Sequence, residues 1–439
     1  MRTNLTRREL LVRLPPAAAA IALPGALLPR AQAATPAAPS RAAKAKSVIQ
    51  IWLWGGPPHL DTFDPKPEAG NDYAGPFKAI ETNVPGLRFC ELLPLLAKQA
   101  DKLAVIRGMT HGSNAHETAT YMVQTGRPSG ERVIYPGTGA VVSLFKGADA
   151  GYTGQIPPYV VLTAPLGRFD EAGFLSARYK PFVTGGDPSQ PRFMVEGIVA
   201  EGITDKRQRD RRELLGALNS LPRALPKNPT LQALARSEEA AYDMILGDGA
   251  KVFDLSTESD ELRERYGRTK FGQCCLMARR LVEKGVPYVT INYEGWDTHK
   301  DNFTTLRRKL PELDKGFATL LEDLDGRGIL STTVIWCGGE FGRTPRVDWS
   351  APWNGGRGHW GNAFTTVLAG GGIRGGQALG STDARGAEVK ERPVSPAEVI
   401  GGLYTLLGID PQATLPHPQG ETARVAPEPP AGGFLKELI

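Results

Sequence analysis

The sequence predicts an α/β fold with a mostly parallel central sheet and helices on both faces. Short apolar runs, such as residues 103–106 and 286–292, end at glycine or polar residues, as buried strands do. Longer amphipathic patterns, such as residues 261–284 and 306–326, lie between the apolar runs. Strands that alternate with helices of this length indicate a parallel sheet covered on both faces.

The bounds of the individual helices and strands follow from the spacing of their apolar residues and from the residues that interrupt this spacing. Gly126 ends a helical pattern that begins at His116, as glycine commonly does at a helix C-terminus. Leu310, Leu313 and Phe317 fall on one face of the helix over 306–326. In chain order we predict strands over 48–54, 103–106, 159–162, 286–292, 332–337 and 363–368, and helices over 92–100, 116–124, 205–218, 231–246, 261–284, 306–326 and 397–407.

The ends of the chain have a different composition from this core. Residues 1–33 contain the pair Arg7 and Arg8, then an apolar alanine-rich stretch and the small-residue site 31–33. This pattern predicts a twin-arginine signal peptide, hence a periplasmic or secreted protein with no transmembrane anchor after its removal. We further predict a flexible leader over 34–47, a main domain over 48–410 with a cap or insertion around 167–260, and a proline-rich tail over 411–439.

The net charge gives no support for a nucleic-acid partner. The whole chain carries +5, and residues 1–33, with five arginines and one glutamate, contribute +4 of it. The remaining residues therefore carry about +1, which provides no electrostatic footprint for nucleic acid or for a membrane surface.

Five of the six histidines lie where an apolar run meets a glycine-rich or acidic loop. In doubly wound sheets, ligands bind beyond the carboxyl ends of the strands. The histidines and the acids beside them therefore predict a metal site assembled from distant segments, although loops at strand ends also collect polar residues for other reasons. The histidines are His59, His111, His116, His299 and His359, and the acids are Asp61, Glu117, Asp297 and Glu340.

Several local patterns supply the candidate ligands. Asp297 and His299 can chelate one cation from a tight turn, or Asp297 can simply cap a helix. Glu340 lies between glycines, three residues before Arg343. The pair fits a metal ligand next to an arginine that binds an anion, and it also fits a simple salt bridge. With one or two divalent ions expected (Zn, Ca, Mg or Mn), the predicted metal ligands are Asp61, His116, Asp297, His299, Glu340 and His359.

Five motifs, in order along the chain, resemble a known family. They are residues 55–66, 116–128, 296–299, 340–345 and 356–360. Over roughly residues 48–410 the chain resembles the family called domain of unknown function 1501, a sulfatase-like branch of the alkaline phosphatase superfamily. The resemblance implies an exported protein with a three-layer α/β sandwich of the alkaline phosphatase and sulfatase type.

The resemblance also implies roles for single residues. Glu340 resembles the superfamily's late carboxylate ligand, His359 its final histidine, and Asp297 with His299 the remaining pair, while Asp61 is a looser match. Phe341 stands where a paired histidine is expected, and Gly358 replaces the aspartate of the family's last motif.

The nucleophile position departs from the sulfatase pattern. Nine residues before Thr125, where sulfatases carry cysteine or serine, this chain has His116. An imidazole can ligate a metal or act as an attacking base, but it cannot become the formylglycine of sulfatases. Ser113 is a nearby hydroxyl outside that register, so the candidate catalytic residues are His116, Ser113 and Arg343.

Two functions follow from these patterns. The first is an exported metal-dependent hydrolase of phosphate or sulfate esters, acting on an anionic ester or glycan. The alternative is a catalytically degenerate sulfatase-like protein that binds sulfated or phosphorylated glycans or has a structural role in the envelope.

Overall fold

The computed structural model describes residues 42–165, 171–191, 193, 195, 204–218, 228–247, 249–430 and 433–439. The predicted signal peptide, most of the leader and parts of the predicted cap around 167–260 lie outside the described residues. In the part of the chain that is described, no helix has both the length and the apolar character needed to cross a membrane.

The core of the protein is an eight-stranded sheet. Its strands are β1 (Ser47–Trp52), β4 (Leu103–Met109), β5 (Tyr159–Leu162), β6 (Phe182–Val183), β7 (Tyr288–Asn292), β8 (Thr333–Gly338), β11 (Phe364–Gly370) and β12 (Gln377–Leu379). Their order across the sheet is β12-β4-β11-β8-β1-β7-β5-β6. All neighbouring pairs are parallel except those of β11, which runs against both β4 and β8.

Short two-stranded pairs surround the main sheet. They are formed by β2 (Ala79–Glu81) with β3 (Arg88–Cys90), β9 (Gly342–Arg343) with β10 (His359–Trp360), β13 (Ser381–Thr382) with β14 (Val389–Glu391), and β15 (Thr414–Leu415) with β16 (Ala423–Arg424).

Helices cover both faces of the sheet, because its strands are apolar on both sides. Ile49 and Ile51 of β1 pack into one hydrophobic cluster, whereas Val48 and Trp52 pack into the other. The described helices are α1 (Asn71–Ala74), α2 (Pro94–Ala97), α3 (His116–Thr125), α4 (Thr138–Lys146), α5 (Asp205–Leu218), α6 (Pro229–Leu246), α7 (Asp260–Tyr266), α8 (Lys270–Glu283), α9 (Asn302–Gly326) and α10 (Pro396–Leu406). Helices α8 and α9 contribute to the first cluster, and α3, α4 and α10 to the second. This architecture confirms the predicted fold class.

Two helix boundaries differ from the prediction. The pattern over 261–284 is divided at Gly267 into α7 and α8, because Ser259 and Thr269 each accept a hydrogen bond from a first-turn amide and so begin separate helices. The helix predicted over 92–100 is reduced to α2, followed by a short 3₁₀ turn at Ala100–Lys102.

The C-terminal segment after residue 410 packs against the sheet. Leu415, Leu435 and Leu438 are buried in the same hydrophobic cluster as α10. Phe434 lies against Gly401 of that helix, where an added Cβ would overlap its ring. The 411–439 segment, predicted as a proline-rich tail, thus contributes apolar side chains to the core.

The parallel topology determines where the loops meet. Strands β1, β4, β7 and β8 end at one edge of the sheet, and the antiparallel β11 begins at the same edge. The segments that follow β1, β4, β7 and β8 and the segment that precedes β11 therefore lie side by side. They carry the predicted site residues.

A candidate metal centre

Four histidine and aspartate side chains converge at this edge. His116 is the first residue of α3, shortly after β4, while Asp297 and His299 follow β7. His359 begins β10 and pairs with Arg343 of β9 in the loop region between β8 and β11. Residues from three distant parts of the sequence are brought together because their strands are close neighbours in the sheet.

The Asp297 carboxylate lies at the centre of three imidazoles. Its Oδ1 is 3.1 Å from Nε2 of His299 and 3.1 Å from Nε2 of His359. Its Oδ2 is 3.4 Å from Nε2 of His116. The Nε2 atoms of His299 and His359 are 2.8 Å apart.

These spacings are close to those of a metal coordination sphere. Metal–ligand bonds of about 2.0–2.1 Å in a tetrahedral arrangement place donor atoms about 3.3 Å apart. Ligand atoms of His116, Asp297 and His359 all lie within 4.8 Å of one another. His116 Nε2 is buried and lies 3.4 Å from Asp297 Oδ2 without forming a hydrogen bond. The residues therefore fit a divalent ion.

Two of the histidines, His116 and His359, are each oriented by a contact on the other ring nitrogen. His116 Nδ1 is 2.7 Å from Glu340 Oε1, and His359 Nδ1 is 2.8 Å from the carbonyl oxygen of Asn114. Such contacts hold each ring and would direct its Nε2 toward a bound ion.

Glu340 does not occupy the predicted ligand position. Its buried carboxylate is held by the Gly55 amide, which donates to both oxygens at 3.0 and 3.2 Å, and by His116. The structure therefore places Glu340 one contact beyond the Asp297 cluster, since its oxygens are occupied by these two donors. The segment between β8 and β9 carries it behind the His116 ring.

The carboxylates and the burial of the site shift the pKa values of its titratable groups. Contacts with Asp297 and Glu340 raise the pKa of His116 to about 9. Burial raises the pKa of Asp297, but the close contacts with His116, His359 and Arg343 outweigh burial and hold this pKa well below its usual range. Burial lowers the pKa of His299, which keeps this imidazole neutral and available as a ligand.

Aromatic side chains enclose the imidazoles. The Trp54 ring stacks on His116 with centroids 5.1 Å apart, and Phe341 stacks on His359 at 4.6 Å. Phe341, which stands where a paired histidine was expected, thus forms an apolar wall of the site. An apolar wall lowers the local dielectric and strengthens the electrostatic interactions inside the site.

Asp61 lies outside the cluster. Its two oxygens accept hydrogen bonds from Arg357 Nη2 and Nε, both at 2.8 Å, and from Asn302 Nδ2 at 2.9 Å. Asp61 and Arg357 are both fully buried, and the pair is bidentate. The carboxylate of Asp61, predicted as a metal ligand, therefore links the loop that contains Arg357 to Asn302 at the start of α9.

Arg343 and Ser113 are placed differently from the catalytic roles predicted for them. Arg343 is fully buried and donates to Asp297 and to the carbonyl oxygens of Gly55 and Gly56, so it fixes Asp297 instead of presenting a clamp to solvent. The Ser113 hydroxyl accepts from the Ala115 amide at 3.5 Å, and none of its hydrogen bonds reaches the three imidazoles.

Three residues of the site were missed by the sequence reasoning. Asn114 supplies the carbonyl that orients His359, Gly55 supplies the amide that holds Glu340, and Trp54 stacks on His116. The polar run around Asn114 was visible in the sequence, but a backbone carbonyl or amide carries no residue-specific signal.

Comparisons with known proteins give one family and a set of distant folds. No functionally curated protein matches the chain. Similar solved structures include the lipoteichoic acid synthase LtaP from Listeria monocytogenes, with 10% identity over 88% of this chain and 75% of that one, at a TM-score of 0.38. The PsFucS1 sulfatase from Pseudoalteromonas sp. has 12% identity over 84% and 68% of the two chains, at 0.35. Alkaline phosphatase from the Antarctic bacterium TAB5 has 12% identity over 76% and 95%, at 0.34.

The sequence identity to these three proteins is low, between 10% and 12%. The sequence match is stronger, because one family profile extends over residues 45–432 and so includes all four residues of the Asp297 cluster. The chain therefore belongs to the family described as protein of unknown function, DUF1501.

Proposed function

We propose that this protein is an exported, metal-dependent hydrolase of phosphate or sulfate esters, on the sulfatase-like branch of the alkaline phosphatase superfamily. The observation that carries the proposal is the convergence of His116, His299 and His359 on Asp297 at the carboxyl edge of the sheet. Three imidazole nitrogens and one carboxylate form a donor set that favours Zn²⁺ over Mg²⁺ or Ca²⁺, which prefer oxygen ligands.

A bound divalent ion would supply Lewis acidity and an activated water molecule. The chain's own residues have separate parts in this scheme. His116, His299, His359 and Asp297 would bind the ion, while Glu340 and the Asn114 carbonyl hold two of the rings. His116 is also the first residue of α3, and the N-terminal amides of a helix favour an anionic group nearby.

The proposed nucleophile is water. His116 stands at the start of α3, where the sulfatase pattern has a serine or cysteine, and its Nδ1 contacts Glu340 while Nε2 faces Asp297. An imidazole held in this way is suited to bind an ion or to accept a proton, and a covalent ester intermediate on a side-chain oxygen is not part of the proposal.

The proposal is tested on purified protein by metal analysis and ester hydrolysis. We expect bound zinc by mass spectrometry and turnover of 4-nitrophenyl phosphate or 4-nitrophenyl sulfate that stops on chelation and returns with metal. Asp297→Asn and His359→Gln should each lose the metal and the turnover. Asp301→Asn makes the same chemical change on an exposed acid nearby and should alter neither.

Each result has a defined meaning. Protein that retains no divalent ion after growth with added zinc would refute the metal site. Metal that is retained in the wild type and lost in Asp297→Asn, without turnover of either ester, would favour the alternative of a non-catalytic protein that binds a phosphorylated or sulfated glycan.

Export is a separate part of the proposal, since Arg7 and Arg8 lie outside the described residues. Replacement of both arginines by lysine should leave unprocessed precursor in the cytoplasm, seen as a larger band on immunoblots of fractionated cells. Normal processing of that variant would contradict the twin-arginine route.

A further inference from the structure

We propose that the cavity beside the Asp297 cluster is a subsite for a neutral sugar ring, bound on Trp349. The inference that this sugar is part of the ester substrate rests on the proposed hydrolase function. The inference that the cavity binds a sugar does not depend on that function. The cavity has a volume of about 660 Å³, within the range of about 300–1,000 Å³ typical of small-molecule sites. Its lining residues include Asp72, Thr344, Arg346, Asp348, Trp349 and Gly358.

The cavity adjoins the metal centre along the chain. Gly358 precedes His359, and Thr344 follows Arg343, whose guanidinium contacts Asp297. The Thr344 hydroxyl accepts a hydrogen bond from the Gly358 amide at 2.9 Å, so the two lining residues are fixed to one another. A ligand in this cavity therefore lies next to the β9-β10 pair that carries His359.

Trp349 forms a rigid aromatic surface in this cavity. Its ring stacks on Phe303 with centroids 5.4 Å apart and an interplanar angle of 21°, while 42% of the residue is exposed. Trp353, in the same loop, is 38% exposed, and Lys300 lies over its ring. A single exposed apolar side chain is common on a protein surface. Two exposed tryptophans in one loop form a larger apolar area, and such areas often mark binding sites.

The loop that carries the tryptophans is held in place by backbone hydrogen bonds. The Asp301 amide donates to the Trp353 carbonyl at 3.0 Å, and the Asp348 amide donates to Gly356 at 3.0 Å. The Arg357 amide donates to Thr298 at 3.1 Å, which ties the loop directly to the segment of Asp297 and His299. Because the loop is fixed, the aromatic surface costs little conformational entropy on binding.

The polar groups of the cavity favour a neutral polyhydroxylated ligand. Asp72 and Asp348 provide two carboxylates and Arg346 provides one guanidinium, so the lining carries no excess of positive charge for an anion. Among the described residues, Asp72 and Arg346 have no ion-pair partner and are exposed, which leaves their side chains available to bind hydroxyl groups. A pyranose ring has an apolar C–H face for the indole and hydroxyl groups at its edge for these side chains.

The test is direct binding of uncharged, unesterified oligosaccharides, which an ester hydrolase cannot turn over. Saturation-transfer NMR is recorded on the full purified protein with maltohexaose, cellohexaose, xylohexaose and chitohexaose at millimolar concentration. We expect at least one to bind, and Trp349→Ala to weaken its binding by about three- to tenfold. Trp349→Phe should recover most of the loss, because the smaller ring still offers an aromatic face.

Two further variants separate the subsite from general effects on folding. Asp72→Ala should weaken binding without touching the Trp349–Phe303 stack, and Leu95→Ala removes an exposed apolar side chain that does not line the cavity and should have no effect. If none of the four oligosaccharides binds, or if Trp349→Ala and Asp72→Ala both bind them as the wild type does, the subsite is refuted. Metal content is measured on the same samples, so a failure of the Asp297 cluster is distinguished from a failure of the cavity.

Discussion

At the scale of single residues, the arrangement around His116 distinguishes two carboxylates, Asp297 and Glu340, that have similar positions in the sequence. Asp297 and Glu340 are both carboxylates at strand ends, yet Asp297 faces three Nε2 atoms and Glu340 contacts the Nδ1 of only one ring. In the proposed metal site, the first position is that of a ligand and the second is that of an orienting group. Variants of the two residues should therefore behave differently.

We predict that Glu340→Gln weakens metal binding without abolishing it. The amide keeps the size of the side chain but removes the charge that fixes and polarises His116, and outer-shell changes of this kind reduce metal affinity by about 10–100-fold. Chelator competition measures the affinity, and X-ray absorption at saturating metal should show an unchanged number of ligands. Glu117→Gln, on an exposed acid next to His116, is the control. Loss of one ligand in the Glu340→Gln spectrum would instead make Glu340 a direct ligand.

The pH dependence of the metal-free protein should report His116. Its pKa is raised from 6.5 to about 9 by Asp297 and Glu340, so the folded state holds this proton more tightly than the unfolded state. The corresponding stabilisation is fully present below pH 6.5 and is lost as the pH rises through about 9. Thermal unfolding with chelator present should therefore show a melting temperature that falls across this window, and His116→Asn should flatten the slope.

Saturating metal provides the control for this prediction. An ion on Nε2 takes the place of the proton, so binding releases a proton and becomes stronger as the pH rises. The metal-loaded protein should then lack the downward slope. An equal slope in the wild type and in His116→Asn would show that another group causes it.

At the scale of elements, the close approach of two strand-end segments determines the site. Gly55, after β1, has φ +112°, and a Cβ there would lie 2.3 Å from the Asp297 amide nitrogen after β7. Its amide also holds Glu340, which follows β8. One glycine therefore connects the ends of three adjacent strands, and only a residue without a side chain permits that contact.

We predict that Gly55→Ala destabilises the protein and removes the metal. The added methyl group must displace the Asp297 segment, in addition to the cost of more than about 1 kcal/mol for alanine at a positive φ. Urea unfolding measures the stability and mass spectrometry the metal. Gly70→Ala is the matched control, since Gly70 has φ +79° but nothing lies within 4 Å of its added Cβ. Similar losses of stability and metal in both variants would show that the contact with Asp297 is unimportant.

At the scale of the whole molecule, the segment after residue 410 completes one side of the sheet. It buries Leu415, Leu435 and Leu438 against the cluster that contains α10, and Arg392 joins it through an ion pair with Glu437 at 2.7 Å. A main domain that ended at residue 410 would expose the apolar side chains that these leucines cover.

Deletion of residues 411–439 should therefore lower the free energy of unfolding substantially. Three buried leucines alone account for about 4.5–9 kcal/mol, at about 1.5–3 kcal/mol for each side chain. Urea denaturation of the truncated and full chains measures the difference. Gln419→Ala, an exposed change in the same segment, should remain within about 0.5 kcal/mol of the wild type. A truncated protein that is as stable as the full chain would mean that this segment is not part of the core.

The sequence by itself determined the fold class and the kinds of residue at the site. Apolar runs alternating with amphipathic patterns predicted the parallel sheet, because a strand buried on both faces has to be apolar throughout its length. The same reasoning placed His116, Asp297, His299 and His359 at strand ends. The family motifs around these residues agree with the profile that matches residues 45–432.

Only the tertiary structure decided which acids face the imidazoles. Asp61, Asp297 and Glu340 all follow buried strands, but Asp61 pairs with Arg357 and Glu340 accepts from Gly55 and His116. Asp297 alone of the three lies among the three Nε2 atoms. The sequence position of a carboxylate fixes the edge of the sheet on which it lies, whereas its partner depends on backbone and side-chain groups contributed by segments up to hundreds of residues away. Those contacts form only when the strands pack, because a side chain's direction at a strand end is set by its neighbours and not by the local pattern.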